Sequence, residues 1–298
     1  MSHRRWFSET LTPGLRLSFQ ARRVLRHRKS ASHEVALIDN EVFGRVLLLD
    51  GAVQLTTRDE FVYHEMMAHV PILGHGSVRD VLIVGGGDCG LAEEVLKHRG
   101  VARVTQVEID PSVVELARTH FADINASVFD DPRFKLVVAD AAEFVQRSGA
   151  SFDVALVDST DPLGPGAVLF TEQFYRDVRA RLRAGGVLVT QNGVPFLQER
   201  EFAAAMRALA RVFAHVGGYA IAVPTYFGGH LVLGWSTDDD AALRLPLPSL
   251  AARFDASALD TRYYTPRVHA AAFALPRFIE QALERAAGRR PASPFAGD

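Results

Sequence analysis

The 298-residue chain carries 33 basic and 35 acidic residues, a formal charge of −2 and 48% hydrophobic residues, enough for a full α/β core with a smaller domain beside it. Near-balanced charge excludes the global electrostatic signature of a nucleic-acid or anionic-membrane binder. A single cysteine excludes an intrachain disulfide framework and fits a reducing, cytoplasmic setting; no Cys/His cluster has zinc-site spacing, and no apolar run reaches membrane-spanning length.

Residues 1–56 read as a small antiparallel β domain. The runs 15–19, 34–38 and 45–49 are strand-like, separated by Asp39-Asn40 and by the hairpin signal Asp50-Gly51. The basic run 22–29 is either an anion contact or a solvated strand face. Thr57-Arg58-Asp59-Glu60 matches a capping box, so a helix is predicted over 58–70, stopping before Pro71, inside a linking segment 57–77. On that helix Phe61, Glu65 and Ala68 share a face. Tyr63 and His64 point elsewhere, toward a crevice between domains or into ordinary packing.

From residue 78 to 288 strand and helix alternate. Strands are predicted over 81–84, 104–108, 136–139, 154–158 and 186–190, with helices over 111–120, 171–183 and 198–213, which describes a doubly wound parallel sheet. Runs 219–223 and 231–235 predict a hairpin capping the sheet edge. A last helix over 276–287 gives way to residues 289–298, which read as a flexible tail. The loop from Leu163 to Ala167 is either a gate over the crevice or a plain turn set by two prolines and two glycines.

The chemistry concentrates after the first of these strands. Gly85, Gly87 and Gly90 satisfy G-x-G-x-x-G, a weak match alone. The next strand ends at Glu108, 23 residues after Gly85, where a nucleotide-binding strand presents an acid to ribose hydroxyls. Asp140, Asp158 and Asp161 also follow strand ends. Each of these acids is either an ordinary helix N-cap or, with Asp88, part of one acidic crevice beyond the strand ends. Asp88 is the most telling, because a carboxylate inside the glycine loop repels a pyrophosphate or the carboxylate of S-adenosylmethionine and attracts an ammonium.

The motifs Asp59-Glu60-Phe61-Val62-Tyr63-His64-Glu65-Met66, Gly85-Gly86-Gly87-Asp88, Val107-Glu108-Ile109-Asp110, Asp158-Ser159-Thr160-Asp161-Pro162-Leu163-Gly164-Pro165 and Pro224-Thr225-Tyr226 occur in that order. Together they resemble the polyamine aminopropyltransferases, the spermidine synthase family. The resemblance implies an N-terminal β domain on a methyltransferase-like (Rossmann-type) sheet, and transfer of an aminopropyl group from decarboxylated S-adenosylmethionine, a co-substrate, to putrescine without cofactor or metal. It also implies a cytoplasmic homodimer or homotetramer. By position, Asp158 is the general base; Glu108, Asp140, Ala141, Pro165, Asp88 and His33 serve the nucleoside and its aminopropyl ammonium; Tyr63, His64, Asp161, Tyr226 and Gln54 serve the amine. His33 stands where the family usually has glutamine. Cys89 stands where it commonly has glycine, and is either an oxidation-sensitive thiol at a helix N-terminus or a small buried filler.

Three other readings compete. An amine N-methyltransferase using ordinary S-adenosylmethionine shares the sheet and Glu108, but Asp88 argues against it. A nicotinamide-dependent dehydrogenase matches the glycines and Glu108 but leaves Asp88, Asp158 and Asp161 without a purpose. A non-catalytic polyamine or nucleoside binder has no need of Asp158. Among aminopropyltransferases, cadaverine and agmatine are alternative acceptors.

Overall fold

The computed structural model describes residues 5–30, 33–160 and 164–295, with the backbone alone for Gly164, Pro165 and Leu243. The N-terminal strands are β1 (Arg5–Thr12), β2 (Leu15–Ala21), β3 (Arg23–Lys29), β4 (Glu34–Asn40), β5 (Gly44–Leu49) and β6 (Ala52–Thr56). β1 and β2 pair as a ribbon, and β3-β4-β5-β6 form an antiparallel sheet. Asp50 and Gly51 have φ of 50° and 81°, the positive pair that a tight two-residue hairpin requires. β1 and β3 carry few apolar residues, and β3 has mostly exposed side chains, which explains why periodicity points to neither clearly.

The linking helix α1 (Glu60–His75) departs from expectation at both ends. It runs straight through Pro71 and closes at Gly76, whose φ of 83° and N–H to Ile72 O terminate it. An internal proline costs ~3 kcal/mol, but α1 is buried nearly all round, from Val62 to Leu73, and that packing outweighs the local penalty. The capping box also fails. Asp59 stands at the N-cap position with no side-chain cap bond; its carboxylate instead accepts from Thr56 Oγ1 (2.5 Å) and from Thr225 N and Oγ1 (2.9 and 2.7 Å).

The remaining strands are β7 (Asp80–Gly85), β8 (Arg103–Glu108), β9 (Phe134–Val138), β10 (Phe152–Asp158), β11 (Leu182–Gln191), β12 (His215–Ile221) and β13 (Leu231–Thr237), in sheet order β12-β13-β11-β10-β7-β8-β9. β9, β8, β7, β10 and β11 are mutually parallel. β13 runs antiparallel to β11, and β12 to β13, so the closing hairpin caps the edge as its sequence implies. The order reverses between β7 and β10, the switch point where ligands of open α/β sheets bind. An antiparallel hairpin occupies the side where a dinucleotide enzyme builds its second mononucleotide half.

The helices are α2 (Gly90–Leu96), α3 (Pro111–His120), α4 (Ala122–Asn125), α5 (Ala141–Arg147), α6 (Glu172–Arg179), α7 (Glu199–Val212), α8 (Leu247–Ser257), α9 (Pro266–Ala272) and α10 (Arg277–Ala287). α6 ends earlier than its sequence suggests because Leu182 already pairs with Phe152 in the sheet. One core joins α1 and α2 to one sheet face; a second joins α5, α6, α7 and α10 to the other. Among the described residues no helix is long and apolar enough to cross a membrane.

The described part of the segment read as a flexible tail makes contacts with the sheet and the C-terminal helices. Ala292 N donates to Val216 O on the edge strand β12 (2.9 Å), Leu245 N donates to Pro294 O (3.1 Å), and the Phe295 ring meets His269 at 5.6 Å. A side chain at Gly217 would collide with Ala292, so this glycine gives the tail its seat on the sheet.

Candidate active site

The glycine loop is shaped by what surrounds it. Gly85 and Gly86 have φ of 80° and 64°, and a Cβ at Gly85 would collide with the Asp158 carbonyl, to which Gly86 N donates at 2.9 Å. This close approach brings the loop against the end of β10. Gln106, a buried amide in mid-strand, donates to the carbonyls of Gly85 (3.0 Å) and Gly86 (2.6 Å) and holds the loop from below. Gly90 has a different reason: its Cβ would stand against the His64 ring. Gly90→Ala is expected to lower folding stability by ~1–3 kcal/mol through overpacking, read as a lower denaturant midpoint; an unchanged midpoint would contradict the packing described.

One cavity lies over this loop, beyond the carboxyl ends of β7, β8 and β10. Its wall includes His33, Gln54, Tyr63, Asp88, Glu108, Asp140, Ala141, Asp158 and Tyr226. Four of the five strand-end and loop acids therefore meet, as their positions imply. Asp161 lies outside the described residues, as does the side chain of Pro165, whose backbone belongs to a 3-10 turn over Gly164–Phe170. Among the described loop residues, Gly166 lines the cavity. The N-cap and crevice readings both hold for Asp140, which accepts from Ala142 N (2.7 Å) and Glu143 N (3.3 Å) while lining the cavity.

At the end of β8, Glu108 is buried and accepts from Asp110 N at 2.8 Å, and burial raises its carboxyl above the ordinary range. Its other oxygen lies close to where a Gly87 Cβ would stand, so the glycine leaves this carboxylate open. His33 Nδ1 pairs with Asp50 Oδ2 at 2.8 Å, which fixes the ring at the cavity wall. Cys89 is fully buried in the left-handed conformation (φ 63°), and burial followed by the nearby Asp88 pushes its thiol up. The filler reading holds, because a buried neutral thiol lacks the thiolate character that oxidation needs.

Across the glycine loop three groups converge: one oxygen each of Asp88 and Asp158 and a ring nitrogen of His64 lie within 4.8 Å of one another. Tyr63 Oη donates to Asp158 Oδ1 at 2.9 Å. Asp158 Oδ2 is shut off from solvent and has no hydrogen-bond partner among the described residues. Burial first, and then the charge of Asp88, push Asp158 up to about 7, against the opposing pull of His64 and the Tyr63 bond. Tyr226 crosses edge-on to Tyr63 at 6.0 Å and donates to Gln54 O at 2.5 Å, so the tyrosines join the two domains.

His64 itself is placed behind the wall. It is 2% exposed, with Nδ1 2.9 Å from Glu60 Oε2 and Nε2 3.5 Å from Asp88 Oδ1. Burial opposes its charge, but Asp88, Glu60 and Asp158 more than offset this and push it up to about 10. An imidazolium has no free lone pair, so the cluster suits an ammonium better than a metal ion.

Sequence reasoning missed three contributors. Asp59 pins Thr225 and thereby delivers Tyr226; Glu60 holds His64. Both look like helix-start residues in one dimension. Glu9, buried in β1, lines the same cavity and accepts from Val53 N at 3.3 Å. Its only signal is the acid itself, in a strand whose pattern is weak.

Comparison with known proteins extends these observations. Residues 60–244 match the spermine/spermidine synthase domain, and residues 5–57 match the spermidine synthase tetramerisation domain. The chain is 47% identical over 283 residues to a polyamine aminopropyltransferase of Escherichia fergusonii, covering 95% of this chain and 98% of that relative. A polyamine aminopropyltransferase of Escherichia coli matches to the same extent. Among solved structures it resembles a spermidine synthase in complex with the transition-state analogue AdoDATO (TM-score 0.89, 34% identity, 96% of both chains). It also resembles the spermidine synthase from Thermotoga maritima (TM-score 0.86, 33% identity, 95% of both chains).

Proposed function

The chain belongs to the spermine/spermidine synthase family, and from that premise we propose how its cavity carries out the reaction. It is a polyamine aminopropyltransferase, a spermidine synthase: the aminopropyl group of decarboxylated S-adenosylmethionine passes to putrescine, giving spermidine and methylthioadenosine. Glu108 holds the ribose, with Asp140, Ala141, Pro165 and His33 around the nucleoside. Asp88 takes the aminopropyl ammonium. The amine lies between Asp158, Tyr63, Tyr226, Gln54 and Asp161, with His64 acting on it through Asp88, and Glu9 offers a carboxylate to the second ammonium of a diamine.

The reacting nitrogen must shed a proton before its lone pair attacks the carbon beside the sulfonium. As the N–C bond forms the C–S bond breaks, its electrons go to sulfur, and the proton goes to Asp158. An ordinary aspartate leaves an uphill transfer of ~6 pKa units from an ammonium, or ~8 kcal/mol; a base near 7 halves that. The observation that carries this reading is the pairing of Asp158 with Asp88 in a buried site, where two anions attract the cation and one becomes basic enough to deprotonate it.

The pH dependence follows in sign. Asp158 must be ionised, so kcat/KM is expected to rise with pH through about 7, and this inflection is expected to vanish in Asp158→Asn. A profile flat from pH 5.5 to 8.5 would contradict the assignment. No separate cofactor is needed for this displacement, because the sulfonium supplies the leaving group. The near-neutral surface and single cysteine support a cytoplasmic setting, and the tetramerisation-domain match over residues 5–57 supports a homo-oligomer. The division into a β domain (1–56), a linking helix (57–77) and a catalytic domain (78–288) is consistent with both sets of matched residues.

A further inference from the structure

We propose that Glu60 is a positioning residue of this reaction: through Nδ1 of His64 it fixes the ring with Nε2 toward Asp88, and the row Glu60–His64–Asp88 keeps one buried positive charge behind the amine site. The inference rests on the aminopropyl-transfer reading for its kinetic consequence only.

The geometry is that of a buried relay. Glu60 and His64 lie one turn apart on α1, with side chains 7% and 3% exposed and 2.9 Å between Glu60 Oε2 and Nδ1. Asp88, on the glycine loop, meets Nε2 at 3.5 Å and is itself held by Gly90 N at 2.7 Å. A buried imidazole facing a carboxylate at each nitrogen satisfies both only as a double donor. Asp158 at the end of β10 adds a third acid, and Tyr63, edge-on at 5.6 Å, is a neutral donor to it. Glu93 on α2 faces Glu60 but is paired with Lys97 at 3.6 Å. Arg262 lies 3.9 Å from Glu60 Oε1 and over the Phe61 ring, and is largely exposed. The acids outweigh the two more distant cations, Lys97 and Arg262, so the ring stays charged.

The charge matters because Asp88 and His64 pull Asp158 in opposite directions, the first raising its basicity and the second trimming it. Without the cation, Asp158 keeps its proton at neutral pH and no longer serves as a base. Glu60 therefore acts on Asp158 through His64, without touching substrate.

The test is ¹⁵N NMR of histidine-labelled free enzyme, the His64 signal identified by its loss in His64→Gln, together with pH profiles of Glu60→Gln. The wild-type ring is expected to remain doubly protonated to pH 9. In Glu60→Gln its midpoint is expected to fall by about 1–3 units, and the deficit in kcat/KM against wild type to widen about tenfold from pH 6.5 to 8.5. A wild-type ring that loses its proton below pH 8 overturns the proposal, even if Glu60→Gln does not fold. So does a variant with an unshifted ring and the same deficit at every pH. The titration needs no substrate, so absence of aminopropyl product from the wild type would refute the assigned reaction while leaving the His64 measurement to stand by itself.

Discussion

Asp158→Asn is expected to reduce kcat by about 10²–10⁴-fold, the range for removing a general base, while leaving the fold intact. The amide keeps the volume of the carboxylate and an oxygen to accept from Tyr63 Oη, now 2.9 Å from Oδ1. It also relieves the like-charge burial beside Asp88, so stability is expected to hold or rise. The informative comparison is kcat against KM. Tyr63, Tyr226 and Gln54 still hold the amine, so the loss falls mainly on kcat, whereas a residue that only binds the amine would raise KM. A variant with near wild-type kcat would remove Asp158 from the chemistry.

The second large effect concerns the donor. Asp88 sits in the glycine loop and, in the role proposed for it, faces the end of the donor at which ordinary S-adenosylmethionine carries its carboxylate. Two unit charges about 5 Å apart repel by ~3 kcal/mol at an effective dielectric of 20, so Asp88→Asn is expected to weaken discrimination against the undecarboxylated donor on the order of 10²-fold. The asparagine retains an oxygen for Gly90 N, which isolates charge from geometry. Competitive binding of the two donors, measured by calorimetry, checks this; an unchanged ratio of affinities would show that selectivity arises elsewhere in the cavity. The same logic weighs against the methyltransferase reading, since an ordinary methyl donor gains nothing from this acid.

What the sequence made legible and what it hid follow from range. The parallel strands are short, mostly apolar runs that end in glycines (81–84) or in an acid (104–108 and 154–158), so they and the crevice beyond them can be read without coordinates. Helix α3 is framed by Asp110, whose side chain accepts from Ser112 N, and by a proline at its first position, and its bounds agree with expectation. Pro71 misleads because local chemistry says stop, while burial of α1 on nearly every side says continue. Asp59 and Glu60 mislead for a related reason. Within Thr57-Arg58-Asp59-Glu60 they fit a local helix-start rule, yet their partners, Thr225 and His64, are chosen by the tertiary fold. His64 illustrates the limit most sharply: nothing local announces the carboxylates that face both its ring nitrogens, Glu60 at 2.9 Å and Asp88 at 3.5 Å.

The most direct test of the account is a mass-spectrometric turnover assay of the purified protein. Decarboxylated and ordinary S-adenosylmethionine would each be offered with putrescine, cadaverine, agmatine and spermidine. The account predicts spermidine and methylthioadenosine from the decarboxylated donor and putrescine, in equal amounts and dependent on Asp158. Methylated amine from the ordinary donor, with no aminopropyl product from any acceptor, would contradict it.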